Sequence, residues 1–218
     1  MAAYFAAEQI WDFNKYYYNF TGFDNLGSKI EIVGSKRYRN AYWTVYNGKG
    51  IIGVGYGFYE LASLEIIGHE MVHGVIDGTA DLVYSREPGA LNEGFADAFG
   101  ILYYQQILNR RDTWALGTEE SGFRRSISDP KSSRNPDTYK GKYWYTGSRD
   151  NGGVHTNSGV LAHIFYMLSV GKVGTNDNGD KYEVKALGNH IVGRIMFRAL
   201  KAYLTRYSDY EDARNAMM

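Results

Sequence analysis

The sequence predicts an α+β fold, a small N-terminal lobe of helix and sheet packed on a mainly helical C-terminal lobe, divided as residues 1–78 and 79–218. Three observations carry this expectation. Short β-branched and aromatic runs, separated by turn signals, are confined to residues 29–59. From residue 60 onward helical periodicity dominates. The length of 218 residues suits one domain or two small lobes, and 44% hydrophobic content supports a core rather than a disordered chain.

The elements follow in order. Residues 3–20 read as an amphipathic helix with Phe5, Ile10, Phe13, Tyr17 and Phe20 on one drifting stripe, stopped by Thr21-Gly22. Residues 29–33 and 40–46 read as strands, and Asn47-Gly48 as a turn. Residues 51–59 are a glycine-broken strand or loop. Their glycines do not form a dinucleotide fingerprint, because no GxGxxG with a downstream acid follows. Residues 60–76 have helical spacing. Pro88 opens a second long helix over 89–108. Residues 109–153 read as a long polar irregular stretch, of the kind that is usually functional. Helices are expected over 155–170 and 187–206, with a turn-rich loop at 174–180. A short last helix starts at Ser208, with Glu211 completing a capping box.

Composition excludes several classes. Twenty-four basic and twenty-four acidic side chains balance to zero, which argues against a broadly basic nucleic-acid surface. No run of 18 apolar residues is present, so no membrane span is expected, and the first residues lack the basic region of a signal peptide. With no cysteine there is no disulfide framework, Cys-ligated metal or Cys nucleophile. Tyrosine is abundant, at twenty residues, and its apolar body with a polar tip suits the border of a cleft.

The sharpest feature is His69-Glu70-Met71-Val72-His73. On a helix, residues four apart share a face one turn apart. Two imidazoles so placed reach one tetrahedral zinc ion, and Glu70 lies beside the first to take a proton from water. Five histidines and eleven glutamates in a chain of this length give only about 0.006 chance occurrences. A third ligand is needed. The pattern HExxHxxGxxH is excluded, because Thr79 stands at its last position. Glu93 lies 20 residues after His73, with Asp97 one turn further on the same face. A helix hairpin lets Glu93 ligate while Asp97 orients a ligand imidazole.

HExxH followed by NExxxD at this distance resembles the thermolysin-like zinc metallopeptidases, of the gluzincin group. The likeness extends over most of the chain, and its motifs fall in the family's order. Asn40-Ala41-Tyr42-Trp43 resembles the NAFW edge strand, Arg125 to Pro130 the RSxSDP segment, and Asp150 to Gly159 the DNGGVHxNSG segment. The resemblance implies a thermolysin-like fold with a zinc cleft between the lobes. It implies one catalytic zinc on His69, His73 and Glu93, and Glu70 as general base. Asp97 would hold His69, and Asn92 would steady His73. His155, oriented by Asp150, and Tyr84 would donate to the oxyanion. Arg125 would bind a substrate carbonyl, and Asn40 and Ala41 would pair with an extended peptide. The implied activity is endopeptidase cleavage of peptides or proteins before a large apolar residue. The implied setting is secreted or extracellular, with no nucleic-acid or membrane partner. The alternative is a catalytically impaired zinc- or peptide-binding module of the same fold.

The chain departs from the family in three ways. It reads as shorter than family members at both ends, with the N-terminal β-rich segment and the later C-terminal helices expected to be missing from this sequence. The double calcium site is not expected, because Tyr104 replaces a carboxylate; a single calcium on Glu65, Glu119 or Glu120 stays open, and Asp112 keeps no familiar spacing. Residues 176–180 resemble part of a calcium loop, lack its last glutamate, and read as a surface turn. Arg124 stands where the family has an aliphatic residue in the pocket wall; it either narrows the pocket, which would shift preference away from Leu or Phe, or points to solvent.

Overall fold

The computed structural model describes residues 2–35, 40–55, 62–110, 113–118 and 123–218. The fold is α+β, and contacts divide it into two units. One comprises Met1–Thr79 and Phe99–Arg124, the other Ala80–Ala98 and Arg125–Met218. One long helix, α3 (Arg86–Ile107), belongs to both.

The first unit opens with α1 (Ala2–Tyr18), which buries Ala6, Ile10, Phe13 and Asn14. The expected stripe is therefore rotated: Phe5 and Tyr17 lie at the surface, and Phe20 is buried beyond the helix end. A three-stranded sheet follows in the order β1-β3-β2, from β1 (Ile30–Ser35), β2 (Ala41–Tyr46) and β3 (Lys49–Gly55). Asn47 and Gly48 both have positive φ, which gives a two-residue hairpin the twist its strands need. β3 runs antiparallel to β2 and parallel to β1, pairing Ile52 with Trp43 on one side and Ile32 on the other. That register puts Trp43 on the face toward α2 (Leu64–Asp77), where its indole covers Gly74 and donates to Asp77 Oδ2 at 2.7 Å. The expected helix start at Glu60 and strand end at Tyr59 lie outside the described residues.

Helices α2 and α3 approach closely where both lack side chains. A Cβ on Gly100 would stand 2.6 Å from the Glu65 carbonyl oxygen, and one on Gly68 2.8 Å from the Tyr103 ring. The Tyr103 hydroxyl donates to Asn14 Oδ1 at 2.7 Å, so the polar tip of this buried ring has its partner. From Gly89 to Tyr103 every residue of α3 is buried. A helix enclosed on all sides has no solvent face, which is why its sequence shows little amphipathic pattern. The stretch expected to be irregular, 109–153, contains a second sheet of β4 (Ala115–Thr118) and β5 (Phe123–Ser126). Arg124 is exposed on β5. Of the calcium candidates, Glu65 lies in the first turn of α2 with burial raising its carboxyl above the ordinary range; Asp112, Glu119 and Glu120 lie outside the described residues.

The second unit packs the N-terminal half of α3 with α4 (Asp150–Asn157), α5 (Gly159–Val170), α6 (Asn189–Ala202) and α7 (Tyr210–Met217). Its core includes Leu91, Phe95, Leu161, Phe165, Val192, Met196 and Leu200. The helix expected over 155–170 is two helices, because α4 begins in a left-handed turn and ends at Ser158. The expected loop at 174–180 is the tip of a hairpin, β6 (Lys172–Thr175) with β7 (Lys181–Val184). The last cap is Asp209, bonded reciprocally with Asp212, rather than Ser208 with Glu211.

His163, buried on α5, joins two segments of this unit. Its Nδ1 donates to the Ile127 carbonyl at 2.8 Å, and its Nε2 accepts from Lys172 Nζ at 3.0 Å. Burial lowers its pKa below the ordinary imidazole value; the Lys172 charge adds to this, against the Ile127 bond and the charges of Asp137 and Asp129. The unfolded chain therefore takes up a proton near pH 6.5 that the folded chain refuses. Stability is fully present above that pH and is expected to fall below it, down to the folded pKa. Urea midpoints at pH 7.5 and 5.5 check this: the drop on acidification should shrink in His163→Gln, and an equal drop in both proteins would reject the assignment.

Candidate active site

His69 and His73 occupy successive turns on one face of α2. Their Nε2 atoms stand 3.1 Å apart, with the ring planes nearly perpendicular. At that distance either one Nε2 donates its proton to the other, or both lone pairs point at a shared cation. Donors on a tetrahedral ion at about 2.0–2.1 Å stand about 3.3–3.4 Å from each other, so the observed spacing suits a shared zinc. Glu70, next in sequence to His69, is buried on the same helix.

Helix α3 carries Asn92, Glu93 and Asp97, all buried. The donor atoms of His69, His73 and Glu93 lie within 4.8 Å of one another. Two histidines and one carboxylate without cysteine form the donor set of a hydrolytic zinc site that keeps a position open. The residues present therefore fit the ion.

Glu93 has further partners in its own unit. The Tyr84 hydroxyl donates to Glu93 Oε1. Arg125, from β5, lies 3.6 Å from Glu93 Oε2 and binds Asp97 through two nitrogens, Nε at 2.8 Å and Nη2 at 2.5 Å. Asp97 and Glu93 are each only 1% exposed. Burial opposes the Arg125 charge, but the Asp97 and Glu93 carboxylates outweigh it and raise the guanidinium pKa. Burial first, and then Glu93, push the Tyr84 phenol well above its ordinary range, so it stays a proton donor.

His155, half-exposed on α4, faces the same carboxylate. Its Nδ1 pairs with Asp150 Oδ1 at 2.7 Å, and its backbone N–H donates to Asp150 Oδ2 at 2.9 Å. A proton on Nδ1 leaves Nε2 directed toward the Tyr84 hydroxyl at 3.2 Å and Glu93 Oε1 at 3.4 Å.

The structure thus gathers His69, His73 and Glu93 in one cluster. It gathers Tyr84 and His155 at Glu93, Asp150 on His155, and Arg125 with Asp97. Asn92 Nδ2 donates to the Leu82 carbonyl at 3.4 Å. Asn40 and Ala41 stand at the start of β2, and the Asn40 carbonyl accepts from Gly55 N at 3.1 Å. β2 ends the sheet on one side. Sequence reasoning gave Tyr145 no part, and Asn157 none beyond its place in a motif. The glycines at 147 and 153, which make room for the Tyr145 ring, were the available signal.

An α+β chain with a His-His-Glu donor set, His69 and Glu93 buried and His73 partly so, and hydrogen-bond donors directed at the same glutamate, defines the zinc-metallopeptidase class of site. Comparison with known proteins makes the family explicit. Residues 1–77 match the thermolysin metallopeptidase catalytic domain, and residues 80–218 its alpha-helical domain. The chain belongs to the thermolysin metallopeptidase family. It is 35% identical to thermostable neutral protease NprT of Geobacillus stearothermophilus, over 98% of this chain and 39% of that protein. It is also 35% identical to neutral protease NprE of Bacillus pumilus, over 99% of this chain and 68% of that protein. The precursor of protealysin, a metalloproteinase from Serratia proteamaculans, superposes with a TM-score of 0.77 at 25% identity, over 99% of this chain and 70% of that one. The chain spans about 39% of the length of the first curated relatives it matches.

Proposed function

We propose that the chain is a zinc-dependent endopeptidase. The observation that carries this reading is the His69, His73 and Glu93 donor cluster, within 4.8 Å, on a chain of this family. Zinc held by these three residues supplies a Lewis acid that polarises a peptide carbonyl and acidifies a water. Glu70 accepts the proton of the attacking water and returns it to the leaving amine. With a proton on each ring nitrogen, His155 donates from Nε2 to the oxygen that gains negative charge, and the Tyr84 hydroxyl donates beside it. Asp150 keeps the His155 proton on Nδ1 when the ring is neutral, and supports the ring in the orientation that directs Nε2 at the substrate. Arg125 holds Asp97 in place beneath Glu93 and is the candidate for contact with a substrate carbonyl. An extended peptide would add along β2, where Asn40 and Ala41 start the edge strand. The resemblance supports a preference for a large apolar residue after the scissile bond, and a secreted setting. Among the described residues no helix is long and apolar enough to cross a membrane.

The test is cleavage of a quenched peptide with Leu or Phe after the scissile bond, with zinc content measured on the same sample. Cleavage that a chelator stops and zinc restores is the expected result. One bound zinc per chain with no cleavage would establish the binding-module alternative, and no zinc at all would remove both readings.

A further inference from the structure

Tyr145 is fastened to the segment before and after His155 at four points. Its backbone N–H donates to Asn157 Oδ1 at 2.9 Å, and its carbonyl accepts from Asn157 Nδ2 at 2.9 Å. Its hydroxyl accepts from the Arg149 backbone N–H at 3.2 Å. Its ring lies against Gly153, where a Cβ would stand 2.6 Å from the ring carbon Cδ1. Asn157 is itself held from beyond, because the Tyr210 hydroxyl donates to its carbonyl at 2.7 Å.

What lies inside this strap is unusual backbone. Asp150, Asn151, Gly152 and Gly153 have φ of 53°, 50°, 91° and 82°, four consecutive left-handed residues, two of them bearing a Cβ. L-residues enter that region singly, not in runs. The turn closes on itself where the Arg149 carbonyl accepts from both Gly152 N and Gly153 N at 3.0 Å. From this turn Asp150 bonds both the backbone N–H and Nδ1 of His155. Relaxation of the turn toward ordinary right-handed angles would swing Asp150 away from the imidazole.

We propose that Tyr145 is a positioning residue for His155: its ring and hydroxyl, clamped by Asn157, hold the left-handed turn from which Asp150 aims the imidazole. The proposal deepens the peptidase reading and rests on His155 as an oxyanion donor.

A mutant cycle on the zinc-loaded chain tests it, reading kcat and KM on the quenched peptide for Tyr145→Leu, His155→Ala and their double variant. His155→Ala should lower kcat about 100- to 1,000-fold. Tyr145→Leu should lower kcat about 10- to 100-fold, the cost of a misplaced group, with KM changed less than about 3-fold. In the His155→Ala background the Tyr145 change should cost less than about 2-fold, because the strap acts through His155 alone. Full additivity in the double variant, or an unchanged kcat in Tyr145→Leu, would overturn the proposal. An unchanged kcat in His155→Ala would instead remove the oxyanion reading, and the proposal with it. Tyr145→Phe keeps the ring and frees only Arg149 N. Its smaller loss of about 3-fold should vanish in the same background, and it carries the cycle if Tyr145→Leu does not fold. Hydrogen exchange reads the strap without turnover: the Gly152, Gly153 and His155 amides should exchange at least about 10-fold faster in Tyr145→Leu. Unchanged exchange would also overturn the proposal.

Discussion

Glu70→Gln is expected to lower kcat by about 100- to 10,000-fold while leaving zinc content at one per chain. The two halves of this expectation have separate causes. Glutamine has nearly the volume of glutamate and still fits the buried position on α2. It cannot accept a proton at neutral pH, so only the base is lost. The donor cluster consists of His69, His73 and Glu93 and does not include residue 70. Zinc content should therefore follow Glu93→Gln, which removes a ligand charge, and not Glu70→Gln. Melting curves with and without a chelator, beside peptide hydrolysis, separate the cases. A Glu70→Gln protein with full kcat would show that another group takes the proton, and one that has lost its zinc would show that residue 70 supports the metal. Neither result is compatible with the roles assigned here.

The parts of this site that were legible in the sequence are those set by local geometry. His69 and His73 are four residues apart, and helical pitch alone brings them together. Glu93 and Asp97 share one face of α3 for the same reason, whereas the approach of Glu93 to the two histidines joins different helices and was read from the likeness to the family. The hairpin turn at Asn47-Gly48 follows from two residues that tolerate positive φ. The parts that were not legible depend on residues distant in sequence. Nothing near Arg125 announces that Asp97, 28 residues earlier, takes both its nitrogens. The four strands β4 to β7 are four residues each, too short to display alternation. The α1 stripe was misplaced because Ala6 and Asn14, rather than the larger Phe5 and Tyr17, face the interior. The left-handed turn at Asp150–Gly153 lies between these cases. Asn-Gly-Gly permits positive φ, and the Tyr145 ring lies against the last of these glycines from outside the motif.

Arg125→Met is expected to destabilise the chain by about 3–5 kcal/mol, the usual loss when one partner of a buried ion pair is removed. Arg125 is 11% exposed by its side chain, against 2% for Asp97 and 1% for Glu93. Methionine fills similar space, so little of the loss comes from a cavity. What remains is two carboxylates in the middle of an enclosed helix, without their shared cation. The loss should be larger in chelated protein, because a bound zinc ion offsets the Glu93 charge and Arg125 then serves Asp97 alone. Arg125→Lys should recover only part of the stability, since one ammonium cannot reproduce the two-nitrogen contact with Asp97. Adding Asp97→Asn to Arg125→Met should cost less than the two changes summed, because the second removes the charge that the first had stranded. Denaturant titration of these variants, with zinc and with chelator, measures each difference. A loss under about 1 kcal/mol for Arg125→Met in chelated protein would put the pair in the class of exposed salt bridges, which its burial contradicts.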